Sequence, residues 1–147
     1  MQNHHYRVDI VFSLNKRLKN IRIQLMDQRF GRKERLRKRA EFQKVFHEGK
    51  VFSNDQIILY ALLNSTKISR LGITAGRKFG NAVKRNRLKR IFREAFRLNK
   101  HILYRGVDLI IIPRTDFTDL TLKSIEDKFK ELLIQINKQL ENEISFN

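Results

Sequence analysis

From Lys84 to Arg97 the chain reads KRNRLKRIFREAFR, seven Lys or Arg against a single acid, Glu94. On a helix, Arg85, Lys89, Arg93 and Arg97 recur every four residues and form one cationic row. Asn86 and Arg90 run beside it, with Arg87 one turn before Arg90. Leu88, Ile91, Phe92 and Ala95 fall at i, i+3, i+4 and i+7, an apolar stripe for burial. Such a stripe holds the cations in place and lowers the ordering cost of each contact, so the row suits successive phosphates of a nucleic-acid strand. A merely solvated helix face mixes in Glu at i+4 to limit repulsion, and this one has a single Glu for seven Lys or Arg.

Hydrolytic chemistry has little to work with. Histidine occurs only at His4, His5, His47 and His101, none beside a carboxylate pair at metal-ligand spacing. His47 and His101 are placed to finish helices, where a cation is favoured. Asp116 and Asp119 read as turn and cap residues, and Asp108 alternates onto one sheet face. There is no cysteine, which excludes disulfides, thiolate metal sites and cysteine catalysis and fits a reducing compartment.

The elements that must carry the row come from 147 residues, 41% of them hydrophobic, with 32 Lys and Arg against 15 Asp and Glu. That length suits one domain, and a net charge of +17 calls for an anionic partner. The excess is concentrated. Residues 16–44 hold twelve basic residues and three acids, residues 77–105 eleven and one, and residues from 106 onward five and eight. No apolar run approaches the roughly 20 residues of a membrane span, and a cytoplasmic protein without membrane partner or small-molecule substrate is expected.

Helical spacing of Phe42, Val45 and Phe46 predicts a helix over Lys38–His47, ended by Gly49 in a left-handed cap. Strands are predicted at Val51–Ser53 and Ile57–Leu63, with Asn54-Asp55 turning between them. A third follows at Leu71–Ala75, with Leu71, Ile73 and Ala75 on one face. Gly76–Gly80 is then a basic loop containing Arg77 and Lys78, and Asn81 caps the cationic helix. Val107–Ile112 is so nearly all apolar that both faces should be buried. Leu122, Ile125, Phe129, Leu132, Leu133, Ile136 and Leu140 define a last helix over Thr121–Leu140. The order is αβββαβα, an α+β sandwich with one sheet face largely covered.

The segment GNAVKRNRLKR beginning at Gly80 resembles the signature of the bacterial ribonuclease P protein component, whose hallmark is Arg-Asn-Arg in this helix. RLRKRAEFQKVFHEG from Arg35 resembles that family's first helix, LGITAGRKFG from Leu71 its strand into the basic crossover, and Val107–Pro113 its buried strand. The likeness runs from about Arg35 to Lys138. It implies an α+β, αβββαβα sandwich with a left-handed βαβ crossover, against the usual preference, similar to a ribosomal protein domain. It also implies a partner, the large catalytic RNA of ribonuclease P, and a substrate, precursor tRNA, whose 5′ leader the holoenzyme removes. The RNA would hold the active site and its Mg2+, leaving no catalytic residue and no metal site on the protein.

Two surfaces follow from the resemblance. Arg77, Lys78, Lys84, Arg85, Asn86, Arg87, Lys89, Arg90 and Arg93 should face the catalytic RNA. Phe42, Phe46, Phe52 and Tyr60 should form a cleft for the single-stranded leader. Unpaired bases stack on aromatic rings with little sequence preference, at about 1–3 kcal/mol each. Any one of the three Phe could instead be a core residue, whereas Tyr60 has the polar tip a cleft needs. A structural RNA-binding protein would share the charge and fold type, but not the Arg-Asn-Arg helix together with aromatic rings.

The domain implied by the resemblance is thus taken as residues 35–140, with residues 141–147 a tail and residues 1–34 a basic extension expected to be poorly ordered. Val11, Leu14, Leu18, Ile21 and Leu25 have helical spacing among cations, so this extension could touch RNA or an anionic membrane. Translation starting at Met26 is the other reading.

Overall fold

The computed structural model describes residues 13–18, 29–114 and 121–145. Seven elements build the domain: α1 (Arg39–Glu48), β1 (Lys50–Ser53), β2 (Ile57–Leu63), β3 (Arg70–Ile73), α2 (Ala82–Asn99), β4 (Val107–Pro113) and α3 (Leu122–Ser145). Short 3-10 turns lie at Arg32–Glu34, Arg77–Phe79 and Lys100–Ile102. The αβββαβα order is the one the sequence predicts, and no helix among the described residues is long and apolar enough to cross a membrane.

The sheet order is β1-β2-β4-β3. β1 pairs antiparallel with β2 and β2 with β4, whereas β3 and β4 run parallel and are joined through α2. β4 is therefore hydrogen-bonded on both edges, and its side chains are buried on both faces. Val107, Leu109 and Ile111 enter the main core with Phe92, Phe96, Phe129 and Leu132 of α2 and α3. Ile110 faces the other way, into a smaller cluster with Leu36 and Val45 under α1.

Polar groups fix the joints. Asn54 Oδ1 accepts from the Gln56 and Ile57 N–H groups at 3.0 and 2.9 Å, which closes the β1–β2 turn. Its amide donates to the Lys128 carbonyl at 3.0 Å and ties that turn to α3. Buried Asn99 donates to Glu126 at 3.1 Å and joins α2 to α3.

Most elements match the sequence reading to within a residue, and larger differences fall at two ends and one cap. β3 ends at Ile73, although the Thr74 N–H still donates to the Ile111 carbonyl at 2.9 Å. α3 continues to Ser145, because no breaker follows Leu140. Gly49 has φ −74°, an extended conformation and not the left-handed cap expected. Glycine is needed there for close approach, since a Cβ would lie 2.4 Å from the Val45 carbonyl oxygen. Asp116 and Asp119 lie outside the described residues, as do Val11, Ile21 and Leu25; residues 13–18 are helical, with Leu14 and Leu18 exposed.

A charged clamp fastens α1 to the sheet. Asp108, buried on β4, accepts from Arg70 Nε at 2.8 Å and Nη2 at 2.6 Å, and from the Asn64 amide at 2.8 Å. Arg70 Nη1 reaches Glu41 Oε1 at 3.0 Å, while Glu41 Oε2 accepts from the Arg37 and Lys38 N–H groups at the start of α1. Burial pushes the Glu41 carboxyl up, but those two backbone donors and Arg70 outweigh it and hold it below its ordinary 4.5.

Arg70→Met should cost about 3 kcal/mol in chemical denaturation, because Asp108 is left buried and uncompensated. The Glu41 contribution has the opposite pH sense to that of a histidine. It is fully present above its ordinary value and lost as pH falls through the depressed one, so Glu41→Gln should flatten the acid limb of stability measured between about pH 6 and pH 3.

Candidate nucleic-acid interface

The Arg77–Phe79 turn and Gly80, at φ 105°, deliver the chain to Asn81. The left-handed φ favours glycine there. Asn81 Oδ1 then accepts from the Lys84 N–H at 3.0 Å and starts α2. Leu88, Phe92 and Ala95 are buried as the stripe predicts, with Ile91 half-buried against them, and Phe96, outside that stripe, is buried as well.

Cations occupy the rest of the helix. Arg77, Lys78, Lys84, Asn86, Arg87 and Arg90 are exposed, and Arg85, Lys89 and Arg93 half-buried. None of these cations is ion-paired with a carboxylate of the described residues. Glu94 is taken by Arg97, at 3.0 Å to Nε and 2.5 Å to Nη2, which lowers the Glu94 carboxyl and raises Arg97. The row that a polyanion could meet is therefore Arg85, Lys89 and Arg93, with Arg97 satisfied inside the protein. Burial, then the neighbouring charges of Arg35 and Arg90, hold Arg93 below the ordinary arginine value. Crowded cations of this kind gain from any anion placed among them.

Two depressions flank Arg93. An open pocket of about 680 Å³ is lined by Arg29, Phe30, Arg35, Arg90, Arg93 and Arg97, among others. A narrower groove of about 170 Å³ runs from Lys89 and Arg93 past Arg35 and Arg37 to the ring of Phe42. It connects the cationic helix to Phe42. The Phe42 ring lies over bare backbone, since a Cβ on Gly72 would come within 2.5 Å of its Cζ. Phe46 and Tyr60 meet edge to face, with centroids 4.9 Å apart and planes at 80°. Phe42 and Tyr60 are half-buried and Phe46 exposed, so all three keep accessible ring on the α1 side of the sheet.

Phe52 does not join them. It pairs with Leu59 across β1–β2 and lies in the main core, on the opposite sheet face. Alternation places Val51, opposite Tyr60, on the cleft side instead, where it is 56% exposed. The sequence reading of Phe52 as a cleft residue is corrected accordingly.

The sequence reading also missed the segment before α1. Phe30 packs on Phe96 at 5.5 Å and 75°, and Arg35 lies over the Phe30 ring at 4.9 Å. The packed domain thus starts by Phe30, five residues ahead of the expected boundary at Arg35. A lone Phe between Arg29 and Gly31 was the one available signal. Among the described residues, no three His, Asp or Glu side chains converge as a metal site requires.

The family model described as Ribonuclease P matches residues 30–137. The ribonuclease P protein component of Thermotoga maritima is 40% identical over 115 residues, covering 76% of this chain and 98% of the relative. The solved structure of the RNase P protein from Thermotoga maritima matches with a TM-score of 0.64 and 40% identity, over 69% of this chain and 96% of that one. The Staphylococcus aureus RNase P protein matches with 0.62 and 35%, over 68% and 92%. The α+β fold with its cationic helix is the one these ribonuclease P proteins share. The chain belongs to the ribonuclease P family, as a protein component of the bacterial ribonucleoprotein nuclease for tRNA processing.

The two aromatic positions should separate in stability measurements. Phe52→Ala should cost about 3–5 kcal/mol in urea denaturation, as a core truncation does, and Phe46→Ala under about 1.5 kcal/mol.

Proposed function

We propose that this chain binds the RNA of ribonuclease P through α2 and its preceding turn, and holds the single-stranded 5′ leader of precursor tRNA against α1 and β2. The RNA-facing residues are Arg77, Lys78, Lys84, Arg85, Asn86, Arg87, Lys89, Arg90 and Arg93. Phe42, Phe46 and Tyr60 stack the leader bases. One observation carries the reading: the groove that joins Lys89 and Arg93 to Phe42 puts phosphate-binding and base-stacking groups on one continuous path. Backbone neutralisation supplies affinity, and stacking tolerates any leader sequence.

Hydrolysis, in this reading, belongs to the RNA in the cytoplasmic holoenzyme. Mg2+ sits mainly on that RNA, and no step passes through a metal on this chain. The protein's part is to fix the leader beside the RNA and raise substrate affinity, which lowers the ordering cost the reaction otherwise bears.

Reconstitution with the cognate RNA at low magnesium tests the whole. The chain should accelerate cleavage of leader-bearing tRNA, and no acceleration would refute the proposal. Arg85→Ala or Arg90→Ala should weaken RNA binding and make its salt dependence shallower by roughly one unit in log–log slope, because a lost phosphate contact no longer releases counterions. Tyr60→Ala should weaken affinity for leader-bearing tRNA about 5–150-fold while mature tRNA changes little, a range set by stacking energies of about 1–3 kcal/mol. Equal losses for both ligands would place Tyr60 outside the cleft.

A further inference from the structure

Lys100 follows α2 and carries a charge that does not face solvent. Its side chain is 14% exposed and that of its partner Glu34 17%. Lys100 Nζ donates to Glu34 Oε1 at 2.5 Å and to the Arg29 carbonyl at 2.6 Å. Glu34 Oε2 accepts from the Gly31 N–H at 2.8 Å, so the carboxylate also closes the 3-10 turn at Arg32–Glu34. The two ion-pair partners are 66 residues apart in sequence, and their bonds fasten the segment 29–34 onto the C-terminal end of α2. Phe30 against Phe96 is the apolar half of the same joint.

The next residue is Arg35. Its guanidinium stacks on Phe30, its Nε is buried without a hydrogen-bond partner, and its charge is one of those crowding Arg93. Arg35 lines both the open pocket and the groove. Three guanidinium groups, Arg35, Arg90 and Arg93, are therefore brought together against their mutual repulsion. An arginine on a free strand would swing away. The joint prevents that, together with the backbone bridge of Arg35 to Leu71 on β3.

We propose that Lys100 and Glu34 are positioning residues for RNA binding: they clamp the segment 29–34 on α2 so that Arg35 completes, with Arg90 and Arg93, a seat for a backbone phosphate. This rests on the RNA-binding reading above and adds to it two residues that touch no RNA. One of them is an acid on a protein that binds a polyanion. The electrostatic expectation and the positioning expectation then have opposite signs. Removing a negative charge near the interface should strengthen RNA binding by Coulomb attraction, whereas loosening Arg35 should weaken it.

Binding of the cognate ribonuclease P RNA to the full chain, measured against salt, decides between them. Glu34→Gln should weaken binding several-fold and make the salt slope shallower by roughly one unit, as Arg35→Ala does. Combined with Arg35→Ala it should add nothing. Lys100→Met should reproduce the loss and Lys100→Arg, which keeps a charged donor, should largely restore it. Binding of Glu34→Gln equal to or tighter than that of the original chain would overturn the inference, as would losses that add to those of Arg35→Ala. Failure of Glu34→Gln or Lys100→Met to fold by circular dichroism would overturn it too, since the joint would then hold the domain and not one arginine. If the original chain itself shows no salt-dependent affinity for that RNA, the RNA-binding reading fails and not merely the clamp.

Discussion

Like charges must be held together against their repulsion, and α2 shows what does the holding. Each unfavourable i,i+4 pair costs about 0.2–0.5 kcal/mol in an isolated helix. Burial of one large apolar side chain returns about 1.5–3 kcal/mol, and Phe92, Phe96 and Leu88 all lie against the sheet. Packing therefore exceeds repulsion several times over, and the cations need no internal counter-charge. The one carboxylate in the run is consumed by Arg97 at its far end, where it leaves Arg85, Lys89 and Arg93 unneutralised.

That arrangement depends on β4. A strand paired on both edges and buried on both faces gives α2 and α3 one wall and α1 another. The two proposed surfaces are thus built on opposite sides of the sheet yet share a rim, because β3 is short and ends at the sheet edge next to α2. Asp108 is the polar exception on β4, and its use is to anchor Arg70, which in turn anchors the start of α1. The accessible rings and the cations of α2 are held by separate devices, a salt-bridged network for the first and an apolar stripe for the second.

Much of this was legible in the residues. Period 3.6 in Leu88–Ala95 and Ile125–Ile136 locates both long helices, and Asn81 and Asn54 announce a cap and a turn by side-chain chemistry alone. The unbroken apolar run at Val107 announces double burial. What failed was local ambiguity resolved only by distant partners. Val51 and Phe52 are both apolar, so a four-residue strand offers no alternation to read, and only its register with β2 decides which one faces α3. Phe30 carries no periodic signal, and its reason for packing, Phe96, lies far along the chain. Gly49 misled for a different reason: steric room and a left-handed φ both call for glycine, and composition cannot tell them apart.

Gly72 carries a consequence of its own. The ring of Phe42 rests where a methyl group would otherwise stand, so the depth of the aromatic trough is recorded in the lack of a side chain. The proposed grip on an unpaired base would thereby be adjustable from underneath, by a position that lies beneath the ring and not on the trough surface. Any lineage that thickened this floor would tilt the ring and retune the trough while every exposed contact residue kept its identity.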